Sequence, residues 1–309
     1  MPRVSVIIPA RNHARQLGRA LASVLGQTYR DLEVLVADDG STDETPALLE
    51  ALGDPVQHLY QPPGGSAAAR NLGLSKASGE LIAHMDPADR WYPQKLERQV
   101  AYLDAHAAAG LVHADATWVD DGDWVIRLRA DRETRRPVPR GHCLLPLLGR
   151  FLTTSAVLER RALTAAVPAF DARLAAGAEQ LRWILLALHG VRVGYLDEPL
   201  VLLERRRTPD GSDASDVPDA FTWAAVLERL LREASLAERG GPGALRAARR
   251  RLCEAGQALA AQDLREGRRA RALGRLLSLI ARRPLALDLY PALVRACRPA
   301  APARDRGAR

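Results

Sequence analysis

His84-Met85-Asp86-Pro87-Ala88-Asp89-Arg90-Trp91-Tyr92-Pro93 stands between an apolar run, Leu81-Ile82-Ala83, and a helix-patterned run, Gln94-Lys95-Leu96-Glu97-Arg98-Gln99-Val100. The apolar run predicts a buried strand, and open α/β sheets place ligand chemistry just beyond the carboxyl ends of their strands. Two carboxylates three residues apart at such an end suit a phosphate-bearing ligand with Mg2+ or Mn2+, because hard cations take oxygen donors. The same stretch also reads as a helix cap, with Asp89 or a neighbour opening the helix after Pro93. The flanking sequence decides between the two.

Upstream, Val4-Ser5-Val6-Ile7-Ile8 is a β-branched run stopped by Pro9, and Leu32-Glu33-Val34-Leu35-Val36-Ala37 is a second run of the same kind. The latter ends in Asp38-Asp39-Gly40-Ser41-Thr42-Asp43. Residues 56–60 and 80–85 predict two more strands, and Leu111-Val112-His113-Ala114 another. Helical spacing fills residues 13–27, 44–52, 67–77 and 94–107. Such alternation predicts a parallel sheet covered on both faces. Three polar clusters then fall at strand ends, at residues 9–12, 38–43 and 86–89, and converge in space.

Gly64-Gly65-Ser66 opens the helix that carries Arg70. A helix start after a strand offers free N–H groups to phosphate, and an arginine one turn in can pair with a diphosphate. Asp39 can accept a hydrogen bond from a base or ribose. Turn formation and capping are the other role open to Asp38, Asp39 and Asp43.

Residues 117–126 predict a hairpin turning at residues 120–123, and residues 178–190 a further helix. Asp210-Gly211-Ser212-Asp213 reads as a linker. Residues 219–239, 243–266, 268–282 and 285–297 predict four amphipathic helices. Hydrophobic residues make up 47% of the 309 and charged residues 26%, an ordinary balance for a globular chain. No apolar run is long enough for a transmembrane helix, and the N-terminus lacks a signal-peptide layout. Cys143, Cys253 and Cys297 are too scattered for a metal site or disulfide framework. A cytoplasmic location is therefore expected. Charge is uneven: residues 205–309 carry 22 Arg against 12 Asp and Glu, a net of +10, which leaves residues 1–204 at −3.

Taken together, residues 3–115 resemble the inverting family 2 glycosyltransferases of the GT-A fold. The resemblance rests on Val4-Ser5-Val6-Ile7-Ile8-Pro9-Ala10-Arg11-Asn12, on Asp38-Asp39-Gly40-Ser41-Thr42-Asp43, on Gly65 with Ala69-Arg70-Asn71 and Gly73, and on Met85-Asp86 with Asp89, Trp91, Pro93, Lys95, Leu96, Glu97 and Gln99. Across residues 150–203, Thr153-Thr154-Ser155, Arg161, Phe170-Asp171 and Glu179 look like the family's acceptor half. The implied fold class is α/β, a GT-A, Rossmann-like nucleotide-diphospho-sugar transferase fold with a C-terminal helical extension. The implied domains are residues 1–208, an α-helical region at 215–298 and a disordered tail at 299–309.

The resemblance implies a nucleotide-diphospho-sugar donor, with a UDP- or dTDP-sugar expected, and a glycan, lipid-linked or small-molecule acceptor. Pro9, Ala10, Arg11, Asn12, Asp39, Arg70 and Asp86 match donor-binding positions. Asp86 and Asp89 match the metal-binding stretch, for Mg2+ or Mn2+. Glu179 matches the region of the catalytic base, which takes the acceptor proton while the acceptor oxygen displaces the nucleotide with inversion. The sequence departs from the family pattern twice. Ala88 stands where a metal-binding carboxylate is usual, and Gln180 stands where the base is usual.

Three hypotheses follow. The first is a sugar transferase of cell-envelope or extracellular polysaccharide biosynthesis. The second, motivated by Ala88 and Gln180, is a related module that binds a nucleotide or a partner without turnover. The third concerns the basic C-terminal helices, which could make a peripheral contact with anionic membrane at the inner face of the cell membrane. No nucleic-acid partner is expected, because aromatic residues are few there.

Overall fold

The computed structural model describes residues 1–120, 122–128, 141, 144–149, 151–204 and 220–282. Among them, one nine-stranded sheet organises the chain. Strand β1 (Val4–Ala10) lies between β2 (Leu32–Asp38) and β4 (Leu81–His84), with β3 (Val56–Tyr60) beyond β2; all four run parallel. The connections are helices α1 (Ala14–Leu25), α2 (Thr45–Leu52) and α3 (Ser66–Lys76).

Register explains why the polar clusters meet. Ala10 pairs with Asp38, and Ile7 pairs with His84, so three strands end at one rim of the sheet. Side chains alternate across β1, as a strand requires. Val6 and Ile8 enter a core with Leu17 and Leu21 of α1. Ile7 faces the other way, where it packs with Leu35, Ile82 and, from α3, Leu74. A Cβ at Gly73 of α3 would lie 2.4 Å from Ile7 Cγ2, so only glycine lets this helix rest so close to β1.

The expectation of a parallel sheet holds for this half only. The short β5 (Arg90–Trp91) and helix α4 (Lys95–Ala105) follow β4, then β6 (Ala109–Val119), a strand longer than the expected run. A hairpin joins β6 to β7 (Val125–Arg127). Helix α5 (Leu144–Gly149) and a 3-10 turn (Thr154–Ala156) lead into β8 (Val157–Arg160), which inserts antiparallel between β4 and β6. After helix α6 (Ala178–Leu188), β9 (Arg192–Glu204) pairs parallel to β6 and antiparallel to β5. A strand buried on both faces has the same apolar pattern in either direction, so local sequence could not reveal this mixed arrangement.

The C-terminal helices are α7 (Ala220–Leu230), α8 (Ala234–Arg265) and α9 (Arg269–Arg282). The helix expected over residues 219–239 is broken after Leu230, and α8 is kinked at Gly241-Pro242, where Pro242 removes a backbone donor. Trp223, Val226 and Leu227 of α7 and Leu236, Ala248 and Leu252 of α8 share one apolar cluster with Leu111, Val157, Trp183 and Ile184. The expected linker at 210–213, the helix at 285–297 and the tail at 299–309 lie outside the described residues. No described helix is long and apolar enough to cross a membrane.

Candidate active site

The ends of β1 and β2 build the first wall. Pro9 and Ala10 are buried at the end of β1, and the Arg11 side chain is half exposed beyond them. Asn12 has a left-handed backbone (φ 55°). Its Oδ1 accepts from the N–H of Thr42 (2.8 Å) and Asp43 (3.3 Å), while its own N–H donates to Ser41 Oγ at 3.0 Å. Asn12 therefore fastens the acidic loop to the β1 end. Asp43 continues the tie by accepting from the Ala14 N–H at the start of α1 (3.2 Å).

Asp39 sits at the mouth of β2 and is buried. Its Oδ1 accepts from Gln61 Nε2 and the Gly64 N–H, both at 2.7 Å, and its Oδ2 accepts from the Gly65 N–H at 2.9 Å. The Arg11 guanidinium lies 4.0 Å away. Both carboxylate oxygens thus hold the loop that opens α3. Asp38 is similarly engaged, accepting from the Ser41 N–H (2.8 Å) and meeting His58 Nε2 (3.2 Å).

The centre of the site is an ion triad. Arg70, one turn into α3, is 1% exposed. Its Nη2 donates to Asp86 Oδ1, and its Nε donates to Glu179 Oε1 at 2.9 Å. Burial opposes the guanidinium charge, but the two carboxylates outweigh it and raise the Arg70 pKa. Burial likewise opposes the Glu179 charge, and the Arg70 charge outweighs it, so Glu179 titrates below the usual range and is ionised near neutral pH. The fold thereby brings an acid of α6 to the rim residue Asp86, from 93 positions away in sequence.

The loop after β4 is braced from beneath. Ser155 Oγ accepts from the Asp86 N–H (2.9 Å) and donates to Asp89 Oδ2 (2.5 Å). Trp91 Nε1 donates to the Ser155 carbonyl at 2.9 Å, and the Lys95 ammonium lies 3.8 Å from the centroid of the Trp91 ring. Trp91 is therefore a loop anchor. Burial pushes the Lys95 pKa well below its ordinary value. Ser155 belongs to a segment that the sequence marks only as acceptor-like; its spacing from Asp86 carries no local signal for a brace.

A second buried network lies under the triad. His84 Nε2 is 2.9 Å from Glu159 Oε1, and Arg182 Nη2 donates to Glu159 Oε2 at 3.1 Å. Burial lowers the His84 pKa despite the pull of Glu159, so the imidazole is neutral and its Nε2–H donates to that carboxylate. Neither Glu159 nor Arg182 is marked by any motif. Arg161, expected among the acceptor half, instead donates to the Gly79 carbonyl at 2.6 Å, at the far end of β4. Asp171 pairs with Arg229 of α7 at 2.7 Å.

Gln180 does not point at the chemistry. It is 1% exposed. Its Oε1 accepts from the Leu152 N–H (3.1 Å) and its Nε2 donates to the Leu147 carbonyl (2.7 Å). The amide thus ties Leu152 to Leu147 of α5.

The donor set at residues 86–89 does not fit a resident divalent cation. Asp86 is paired with Arg70, Ala88 has no ligand atom, and Asp89 is buried against Ser155. The expected metal pair, Asp86 and Asp89, is therefore not presented as a pair. Among the described residues, no three His, Cys, Asp or Glu side chains are grouped to hold a metal.

Comparison with known proteins agrees with this architecture. The family model described as Glycosyl transferase family 2 matches residues 5–165, about half of the chain. The succinoglycan biosynthesis protein ExoO of Rhizobium meliloti (strain 1021) is 39% identical over 113 residues, covering 35% of this chain and 32% of that protein. The crystal structure of S. aureus TarS 1-349 in complex with UDP aligns with a TM-score of 0.59 at 19% identity, over 96% of this chain and 81% of that one. The mannosyltransferase PcManGT from Pyrobaculum calidifontis, in complex with GDP-Man and Mn2+, aligns with a TM-score of 0.56 at 20% identity, over 96% and 84%. The chain spans about a third of the length of the first curated relatives it matches.

Proposed function

The chain belongs to glycosyl transferase family 2, and from that premise we propose that it moves a sugar from a UDP- or dTDP-sugar to a hydroxyl acceptor with inversion, in cell-envelope or extracellular polysaccharide biosynthesis. The observation that carries this reading is the Asp86–Arg70–Glu179 triad, which joins the donor-side strand end to the acceptor-side helix. The nucleotide lies along residues 9–12, Asp39 and Asp86, and its diphosphate faces Arg70. Glu179 is the base. It takes the proton of the acceptor hydroxyl; the acceptor oxygen bonds to the anomeric carbon, and the bond to the diphosphate breaks with its electron pair leaving on the nucleotide. Its low pKa limits its strength as a base until Arg70 turns toward phosphate.

A second reading is a nucleotide- or partner-binding module without turnover. Gln180, a neutral bracket at the usual base position, favours it. The two readings separate in one experiment. Release of nucleoside diphosphate from a panel of UDP-, dTDP- and GDP-sugars is followed with the full chain, beside calorimetric binding of each nucleotide. Turnover supports the first reading; binding without turnover against a broad acceptor panel supports the second.

In this proposal residues 1–208 form the transferase domain and residues 215–298 a helical region, of which α7 and α8 pack on the rest of the chain through the shared apolar cluster. The protein works in the cytoplasm. Arginines exposed on α8, such as Arg246, Arg249 and Arg250, supply a peripheral contact with anionic lipid.

A further inference from the structure

We propose that this chain binds its nucleoside diphosphate without a divalent cation, with Arg70 as the counter-charge. The inference rests on the nucleotide-donor reading above and goes beyond it. A nucleoside diphosphate brings concentrated negative charge, which a binding site must neutralise with a metal, with protein cations or with helix N-terminal amides.

Each metal-binding option of the loop is removed by a separate observation. Ala88 offers a methyl group. Asp89 is 9% exposed and accepts from Ser155. Asp86 is the most accessible of the three, with 44% of its side chain exposed, but it is already paired with Arg70. A dication approaching Asp86 therefore competes with the Arg70 guanidinium for the one accessible carboxylate of the loop.

Arg70 has the features of the replacement. Two of its three nitrogens bind carboxylates. The third, Nη1, is buried and has no hydrogen-bond partner among the described residues. A buried donor without an acceptor is unfavourable, and more so when charged. A phosphate oxygen satisfies it, and the planar guanidinium fork suits two phosphate oxygens at once. Asp86 meets the guanidinium through Nη2 alone, so a phosphate oxygen can be taken by Nη1 without releasing that carboxylate. The half-exposed Arg11, across the mouth beside Asp39, adds a second cation.

The test is calorimetry of the full chain with UDP, dTDP and GDP, in EDTA and again in Mn2+, with free Mn2+ monitored by its electron paramagnetic resonance signal. The expected result is binding in EDTA within about threefold of that in Mn2+, and no protein-dependent loss of the Mn2+ signal. Ala88→Asp should gain Mn2+ uptake and Mn2+-stimulated binding. Arg70→Lys, which keeps the charge but loses the fork, should weaken nucleotide binding roughly tenfold or more in EDTA. Its melting temperature serves as the folding control, and the wild-type comparison needs no variant. Binding that requires Mn2+ overturns the inference and leaves the donor reading intact. Failure of every nucleotide to bind in both conditions overturns both.

Discussion

The Gln180 side-chain amide donates to the Leu147 carbonyl at 2.7 Å from a position that is 1% exposed. That bond, with the return bond from the Leu152 N–H, fixes what the residue can be. A carboxylate can accept from Leu152 but cannot donate to Leu147. Gln180→Asp therefore leaves a buried carbonyl unsatisfied and adds a buried charge, and is expected to destabilise the fold by about 2–4 kcal/mol. It should not create a base directed at the acceptor. Denaturant unfolding and donor turnover of the variant check both parts; a stable variant with faster transfer would refute the bracket role.

Glu179→Gln should separate chemistry from binding. The amide keeps the shape and can still accept from Arg70, but it cannot take a proton near neutral pH. Transfer should fall by roughly 10²–10⁴-fold, while calorimetric affinity for the nucleotide stays within a few-fold. Unchanged transfer would remove Glu179 as the base.

Ser155→Ala removes one hydroxyl that serves two partners, the Asp86 N–H and the Asp89 carboxylate. The expected loss of stability is about 1–3 kcal/mol. Because the same hydroxyl sets the height of the Asp86 loop, KM for the donor should rise more than kcat falls. A variant with wild-type stability and an unchanged donor KM would show that the brace is dispensable.

His84 sets a pH dependence. Burial, the largest influence, holds its pKa below the ordinary 6.5 although Glu159 raises it. The unfolded chain therefore binds this proton at a higher pH than the folded chain does. Stability is complete above about pH 6.5 and declines as the pH falls through the window between the unfolded and folded values. His84→Gln, which can still donate to Glu159, should flatten the slope of unfolding free energy between about pH 7 and pH 5. Equal slopes in the two proteins would assign the dependence to other groups.

Most of the rim of the site was legible in the sequence. Buried apolar runs ending in Pro9, Asp38 and Met85 place three polar clusters at parallel strand ends, and register does the rest. Arg70, Asp86 and Glu179 could each be picked out by motif. Their joining in one triad could not, because the contact spans α3, the β4 loop and α6, and no local pattern encodes it. Asp39 and Asn12 were marked as ligand-facing residues, yet in this structure their hydrogen bonds also serve as loop clasps, the role that turn chemistry offers such side chains.

By itself the sequence determined the strand and helix periods, the glycine that lets α3 rest on Ile7, and the two substitutions, Ala88 and Gln180. Tertiary structure alone decided the direction of β8, the inward turn of Asp89 onto Ser155, and the burial of Glu159, Arg182 and His84 as one network. The physical reason is range. Periodicity and capping act within a few residues, so sequence reports them directly. The partner of a buried charge is chosen by which distant segment can approach it with the right donor, and only the assembled sheet brings those segments together.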